Sequence, residues 1–198
     1  AFFADVVDAD LPEVYAVGSF FFPEDDAARG ALRDIVGEEL AAHDLDVLAW
    51  RTVPTDNADL GATALDSEPV VEQAFVAPDG ALLAGDVAEE TDADEVDLDA
   101  FDRALYVARR DLETTVEDRT PVGHERFYVV SLDRKTVVYK GLLKGDQVAD
   151  YYPELTDERL RTTFAMVHAR FSTNTLGAWH LAHPYRGIIH NGEFNTIQ

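Results

Sequence analysis

Cysteine is absent, and with it any disulfide, thiolate metal ligand or thiol nucleophile that these 198 residues could have offered. Lysine is nearly absent, standing only at Lys135, Lys140 and Lys144. No apolar run approaches the ~20 residues that a bilayer-spanning helix needs. The opening Ala1-Phe2-Phe3-Ala4-Asp5 has neither the basic start nor the apolar core of a secretory signal. These gaps make a cytoplasmic protein with no membrane partner the expectation. The first residue is not Met, which suggests a start inside a longer product.

Positive charge is scarce as well: 16 basic residues face 39 acidic ones, for a net charge of −23. Such a surface repels phosphate backbones, so nucleic acid is excluded as a partner. The acids are spread along the chain, and Arg outnumbers Lys heavily. That pattern suits high salt, where a Debye length of ~3 Å at ~1 M screens self-repulsion while carboxylates hold water. An ordinary acidic protein with solvated faces is the plainer reading, and neither identifies a reaction. Hydrophobic residues make up 46% of the chain and aromatics 10%, enough for one globular domain with a true core.

Val14 to Phe22 is a continuous apolar run closed by Pro23, as expected of a strand buried on both faces. Asp25 and Asp26 offer N-caps for a helix to about His43, with Leu32, Ile35, Val36 and Leu40 on one side. Asp46–Val53 and Pro69–Val76 read as further strands, and the acidic stretch from Asp79 to Asp97 as a loop. Leu98, Phe101, Leu105, Ala108, Leu112 and Val116 have helical spacing. Phe127–Leu132 and Thr136–Tyr139, flanking Asp133-Arg134-Lys135, predict a β-hairpin. Tyr151-Tyr152-Pro153 predicts a turn, Thr156-Asp157 a cap for a short helix, and Phe164–Phe171 another strand. Strands mixed with a few helices predict a layered α/β or α+β domain.

The chemistry concentrates in the last third. His168-Ala169-Arg170-Phe171-Ser172-Thr173-Asn174-Thr175 puts a planar, permanently charged guanidinium at a strand end, with hydroxyl and amide groups behind it. Arg170 can grip a carboxylate through two parallel hydrogen bonds. An internal salt bridge is the alternative, and Ser172, Thr173 and Asn174 either line a pocket or hold a turn. Further on, His190-Asn191-Gly192-Glu193-Phe194-Asn195-Thr196 places a side-chain amide beside a glycine N–H. Asn-Gly is a favoured hairpin turn. The same geometry can make an oxyanion hole, with His190 and Glu193 read as supports of the turn. A carboxylate grip beside paired oxyanion donors suits a site that binds an amino acid and breaks an acyl bond. His124, His180 and His183 lack a metal-binding spacing, so no metal is assigned.

Together these strings resemble the type 2 (N-terminal nucleophile) glutamine amidotransferase domain of the glutamate synthase family. The resemblance runs through Tyr15-Ala16-Val17-Gly18, Trp50-Arg51-Thr52-Val53-Pro54, Glu68-Pro69 and Gln73-Ala74-Phe75-Val76. It continues through Leu105–Arg110, Val138-Tyr139-Lys140-Gly141 and Tyr152-Pro153-Glu154-Leu155, and so covers nearly the whole chain. It implies an α+β fold, an incomplete four-layer αββα sandwich of the N-terminal nucleophile hydrolase type. It also implies that Arg170 binds the α-carboxylate of glutamine, that Thr173 and Asn174 stand in the pocket wall, and that Asn191 and the Gly192 N–H hold the oxyanion.

In the family, a cysteine at the N-terminus attacks the glutamine amide, and the ammonia passes to a distant site with 2-oxoglutarate, FMN and an iron–sulfur cluster. By this resemblance residues 1–198 form a partial domain, without the nucleophile segment and the C-terminal part, inactive alone and holding no cofactor itself. FMN and the cluster are implied for the full-length enzyme. The implied partners are glutamine, the rest of the polypeptide, and ferredoxin or a nicotinamide-using subunit. The competing reading is a non-catalytic acidic scaffold or partner module that retains the amidotransferase fold.

Overall fold

A computed structural model describes residues 2–82, 96–169, 177–185 and 187. A short helix α1 (Phe2–Val6) precedes β1 (Ala16–Phe22), whose seven residues are all buried, as its unbroken apolar run predicts. Helix α2 (Asp26–Ala41) starts where Asp25 accepts a 2.7 Å bond from the Ala28 N–H. Strand β2 (Leu45–Thr52), helix α3 (Ala62–Asp66) and strand β3 (Val70–Pro78) follow. Helix α4 (Leu98–Arg119) is capped by Asp97, then come β4 (Tyr128–Asp133) and α5 (Val148–Tyr151).

The strands form one antiparallel sheet in the order β2-β3-β1-β4. Because side chains alternate, the central strands serve two environments. Ala16, Phe20, Phe22, Ala74 and Val76 face α2 and α4, meeting Leu32, Val36, Leu40, Phe101, Leu105 and Leu112 in the larger core. The apolar spacings of both helices therefore predict their buried faces. Full burial of each such side chain favours folding by about 1.5–3 kcal/mol. Glu72 also points to this side, fully buried, and is held by Arg33 and Arg29 of α2.

The sheet's other face carries Phe21, Val71 and Val130, packed against Val138, Tyr151, Tyr152 and Trp179. Val17 and Phe75 of the same face meet Val7 and Phe3. The α+β class is met, with one helical layer and one sheet described. Among the described residues, no second sheet covers the far face: irregular chain and short helices do so.

Three local expectations need correction. The predicted hairpin keeps only its first strand. Beyond β4, Asp133 Oδ1 accepts the N–H groups of Lys135 (2.6 Å) and Thr136 (2.9 Å), so a side chain takes donors that a ladder would need. Arg134 and Lys135 are drawn instead to Asp102 on α4. Thr156-Asp157 does not start a helix: a 3-10 turn, Pro153–Thr156, precedes it, and Asp157 is its C-cap. Residues 164–169 of the predicted Phe164–Phe171 strand are irregular, for no strand among the described residues pairs with them. Phe164 and Val167 are largely exposed there.

Candidate functional site

The polar heart of the far face is built from residues far apart in sequence. Arg51 on β2 meets Glu154 through two bonds of 2.8 Å, and both side chains are almost fully buried. The same guanidinium donates to Gln73 Oε1 on β3 at 2.9 and 2.6 Å. Gln73 passes its amide N–H to Ser19 Oγ on β1 at 3.2 Å. Tyr139 completes the set by donating its hydroxyl to Glu154 Oε1. Burial, followed by the neighbouring Glu154 carboxylate, holds the Tyr139 phenol well above its usual pKa. Charge-assisted bonds of this kind fix geometry, since a half-satisfied buried network costs more than an apolar core. Arg51 also lies 5.5 Å from the Phe3 ring centroid and 5.7 Å from that of Phe2, which ties α1 to the cluster.

Next along the chain, Lys140 is 2% exposed. Its Nζ donates to the His180 carbonyl at 2.8 Å and stands 4.4 Å from the Tyr128 ring centroid and 5.2 Å from that of Tyr185. Its own carbonyl accepts the Tyr152 hydroxyl at 2.8 Å, so the lysine is pinned from both ends. Gly141 lies against the Trp179 ring: a Cβ there would come 2.5 Å from Cζ3. Trp179 in turn donates its indole N–H to the Ala64 carbonyl on α3 at 3.1 Å.

Arg170, Thr173, Asn174, Asn191 and Gly192 lie outside the described residues, as do Ser172, His190 and Glu193. Near the two strings, residues 164–169, 177–185 and 187 are described, and these stretches meet. His168, two positions before Arg170, packs against His183 with ring centroids 4.4 Å apart and planes tilted by 44°, and the Tyr185 ring lies 4.5 Å from that of His183. Gly187 approaches Met166, whose Cε is 3.9 Å from where a Cβ would stand. Burial first, then His168 and Lys140, hold the His183 imidazole below its ordinary pKa. Burial and Lys140 do the same to His180. Two surface hollows lie along α4, and neither is lined by Lys140 or Arg51.

Sequence reasoning missed the cluster of Arg51, Gln73, Tyr139 and Glu154 as a unit. A signal was present: each member falls within one of the separate strings that carry the family resemblance. Arg51 and Glu154 stand 103 residues apart, so only the fold reveals that the strings converge.

The family described as Glutamine amidotransferases class-II matches residues 2–198. The protein named Glutamate synthase [NADH] of Schizosaccharomyces pombe is 42% identical over 188 residues, covering 93% of this chain and 8% of the relative. Glutamate synthase [NADPH] large chain of Bacillus subtilis is 37% identical over 191 residues, 96% of this chain and 11% of the relative. Ferredoxin-dependent glutamate synthase 2, chloroplastic, of Arabidopsis thaliana is 35% identical over 182 residues, 92% and 10% respectively. The chain thus spans about a tenth of the length of these curated relatives.

Proposed function

This chain belongs to the class-II glutamine amidotransferases, and on that premise we propose that it forms the glutamine-binding, oxyanion-stabilising part of the glutaminase domain of a glutamate synthase. The supporting observation is the family match over residues 2–198, a span that includes both the Arg170 and the Asn191-Gly192 strings. The contact of His168 with His183 adds support, because it brings the two approaches to those strings side by side.

Arg170 takes the α-carboxylate of glutamine, with Thr173 and Asn174 in the pocket wall. A cysteine thiol attacks the side-chain amide carbon, giving its proton to a neighbouring amine as the C–S bond forms. The Asn191 amide and the Gly192 N–H receive the negative oxygen of the tetrahedral intermediate. That proton then leaves on ammonia as the C–N bond breaks, and water hydrolyses the thioester to glutamate. These 198 residues contain no cysteine, so the thiol comes from chain outside them and this segment alone is inactive. For the same reason they offer no thiolate to an iron–sulfur cluster. The cluster and FMN, which serve the reductive transfer of ammonia to 2-oxoglutarate, are held outside them, and ferredoxin or a nicotinamide-using subunit supplies electrons. The net charge of −23 suits a salt-rich cytoplasm, as in a halophile.

The test is glutamine hydrolysis by the complete polypeptide in high salt. Asn191→Ala lowers kcat by ~10²–10³, the usual cost of one oxyanion donor. Arg170→Ala weakens glutamine use while synthesis driven by added ammonia survives. Loss of both activities together would assign these residues to folding. A complete polypeptide that never hydrolyses glutamine would favour the scaffold reading.

A further inference from the structure

We infer that Lys140 is a positioning residue for the hydrolytic site, because its ammonium seats the chain segment that leads into the Asn191-Gly192 string. The seat is built from three consecutive residues. Lys140 Nζ holds the His180 carbonyl at 2.8 Å. The bare backbone of Gly141 admits the Trp179 ring, where a Cβ would stand 2.5 Å from Cζ3. Leu142 lies against Gly177, whose added Cβ would meet Leu142 Cδ1 at 2.7 Å. Residues 177–182 are thus fitted onto 140–142 by one charged bond and two close backbone approaches.

The cation is suited to this task. Burial of an ammonium is costly unless it is hydrogen-bonded or faces electron-rich groups. Here the Tyr128 and Tyr185 rings and a carbonyl surround it. Tyr152 fixes the lysine's own backbone, while Tyr139, one residue earlier, is bound into the Arg51–Glu154 pair. The rigid polar centre of the far face is therefore joined covalently to the seat. From the seat, order passes through His183 to His168, the approach to the other string. In this reading Lys140 acts through chain geometry.

The inference rests on the glutaminase reading, and its test separates the two. Lys140→Met and Lys140→Arg are made in the complete polypeptide, and glutamine hydrolysis is measured together with backbone hydrogen exchange. Misplacement of a catalytic group by about 1 Å costs ~10²-fold in rate. Lys140→Met is expected to lower kcat to that extent with KM changed only a few-fold, since oxyanion donors act in the transition state. Exchange at residues 177–185 should rise while that of β1 and β3 stays as in the wild type. Lys140→Arg should recover much of kcat. Wild-type kcat in Lys140→Met would overturn the inference, and so would unchanged exchange at 177–185. Collapse of kcat, KM and the whole exchange profile together, with no rescue by Arg, would overturn it too. A wild type that hydrolyses no glutamine would refute the glutaminase reading instead, and the exchange experiment would still decide whether Lys140 seats the segment.

Discussion

The imidazole of His168 packs against that of His183, centroids 4.4 Å apart and planes tilted by 44°. Fifteen positions separate the two rings: His168 opens the first of the two strings, and His183 stands seven positions before the second. Their contact joins the stretch that runs up to residue 169 with the stretch from 177 to 185. Lys140 lies beside the same group through Tyr185 and the His180 carbonyl.

That setting makes the histidines acid-sensitive. His180 and His183 are held below the ordinary value of 6.5 by burial first, then by Lys140 and, for His183, by His168 as well. The unfolded chain therefore binds more protons between the folded value and about 6.5. The contribution of these two histidines to stability is full above about pH 6.5, falls as pH drops through that window, and levels off below their folded values. NMR titration of the ring protons should show both midpoints below 6.5. Midpoints at or above it would refute the burial argument.

The Arg51–Glu154 pair should be far more sensitive to losing one partner than to losing both. Arg51→Ala leaves a buried carboxylate without its main cation and is expected to cost about 3–5 kcal/mol in urea unfolding. The double variant Arg51→Met/Glu154→Leu should lie closer to wild type than the sum of the singles. Additive losses would show that the two side chains act separately.

Gly141→Ala should push the Trp179 ring off its seat, since the new methyl would stand 2.5 Å from Cζ3 and 2.9 Å from Cε3. Overpacking of this sort costs about 1–3 kcal/mol. Tryptophan emission should shift to longer wavelength as the ring gains water, and an unmoved spectrum would contradict the packing.

With 39 acidic and 16 basic residues, the folded domain repels itself at low ionic strength. The melting temperature should climb as KCl rises from ~0.1 M to ~1 M, where the Debye length falls from ~10 Å to ~3 Å. Exposed pairs such as Arg119–Glu38 weaken over the same range, but each contributes little. A flat or falling curve would argue against adaptation to salt.

Much of the helical layer was legible from local pattern. Leu32, Ile35, Val36 and Leu40, or Phe101, Leu105, Ala108 and Leu112, repeat at the helical period, and the larger core buries those residues. Strand β1 was legible because seven consecutive apolar or small residues leave no solvent face. Thr136–Tyr139 misled because its β-branched residues look like a strand, whereas Asp133 and Asp102 decide its course. Phe164 to His168 alternates in type without a neighbouring strand to pair with. The members of the polar cluster fall in family strings, but their convergence was not legible because its bonds join β1, β2, β3 and the turn after Tyr152, and such distant pairings leave no periodic trace. The proposed Arg170 and Asn191-Gly192 pocket was read from residue chemistry and family resemblance alone.

The Arg51–Glu154 bridge also has a consequence for biosynthesis. A ribosome delivers Arg51 103 residues before the carboxylate that neutralises it. During that interval the nascent chain can wrap β1, β2 and β3 around the two amphipathic helices, while the guanidinium stays hydrated. The reverse side of the nascent domain closes only once residue 154 has left the exit tunnel.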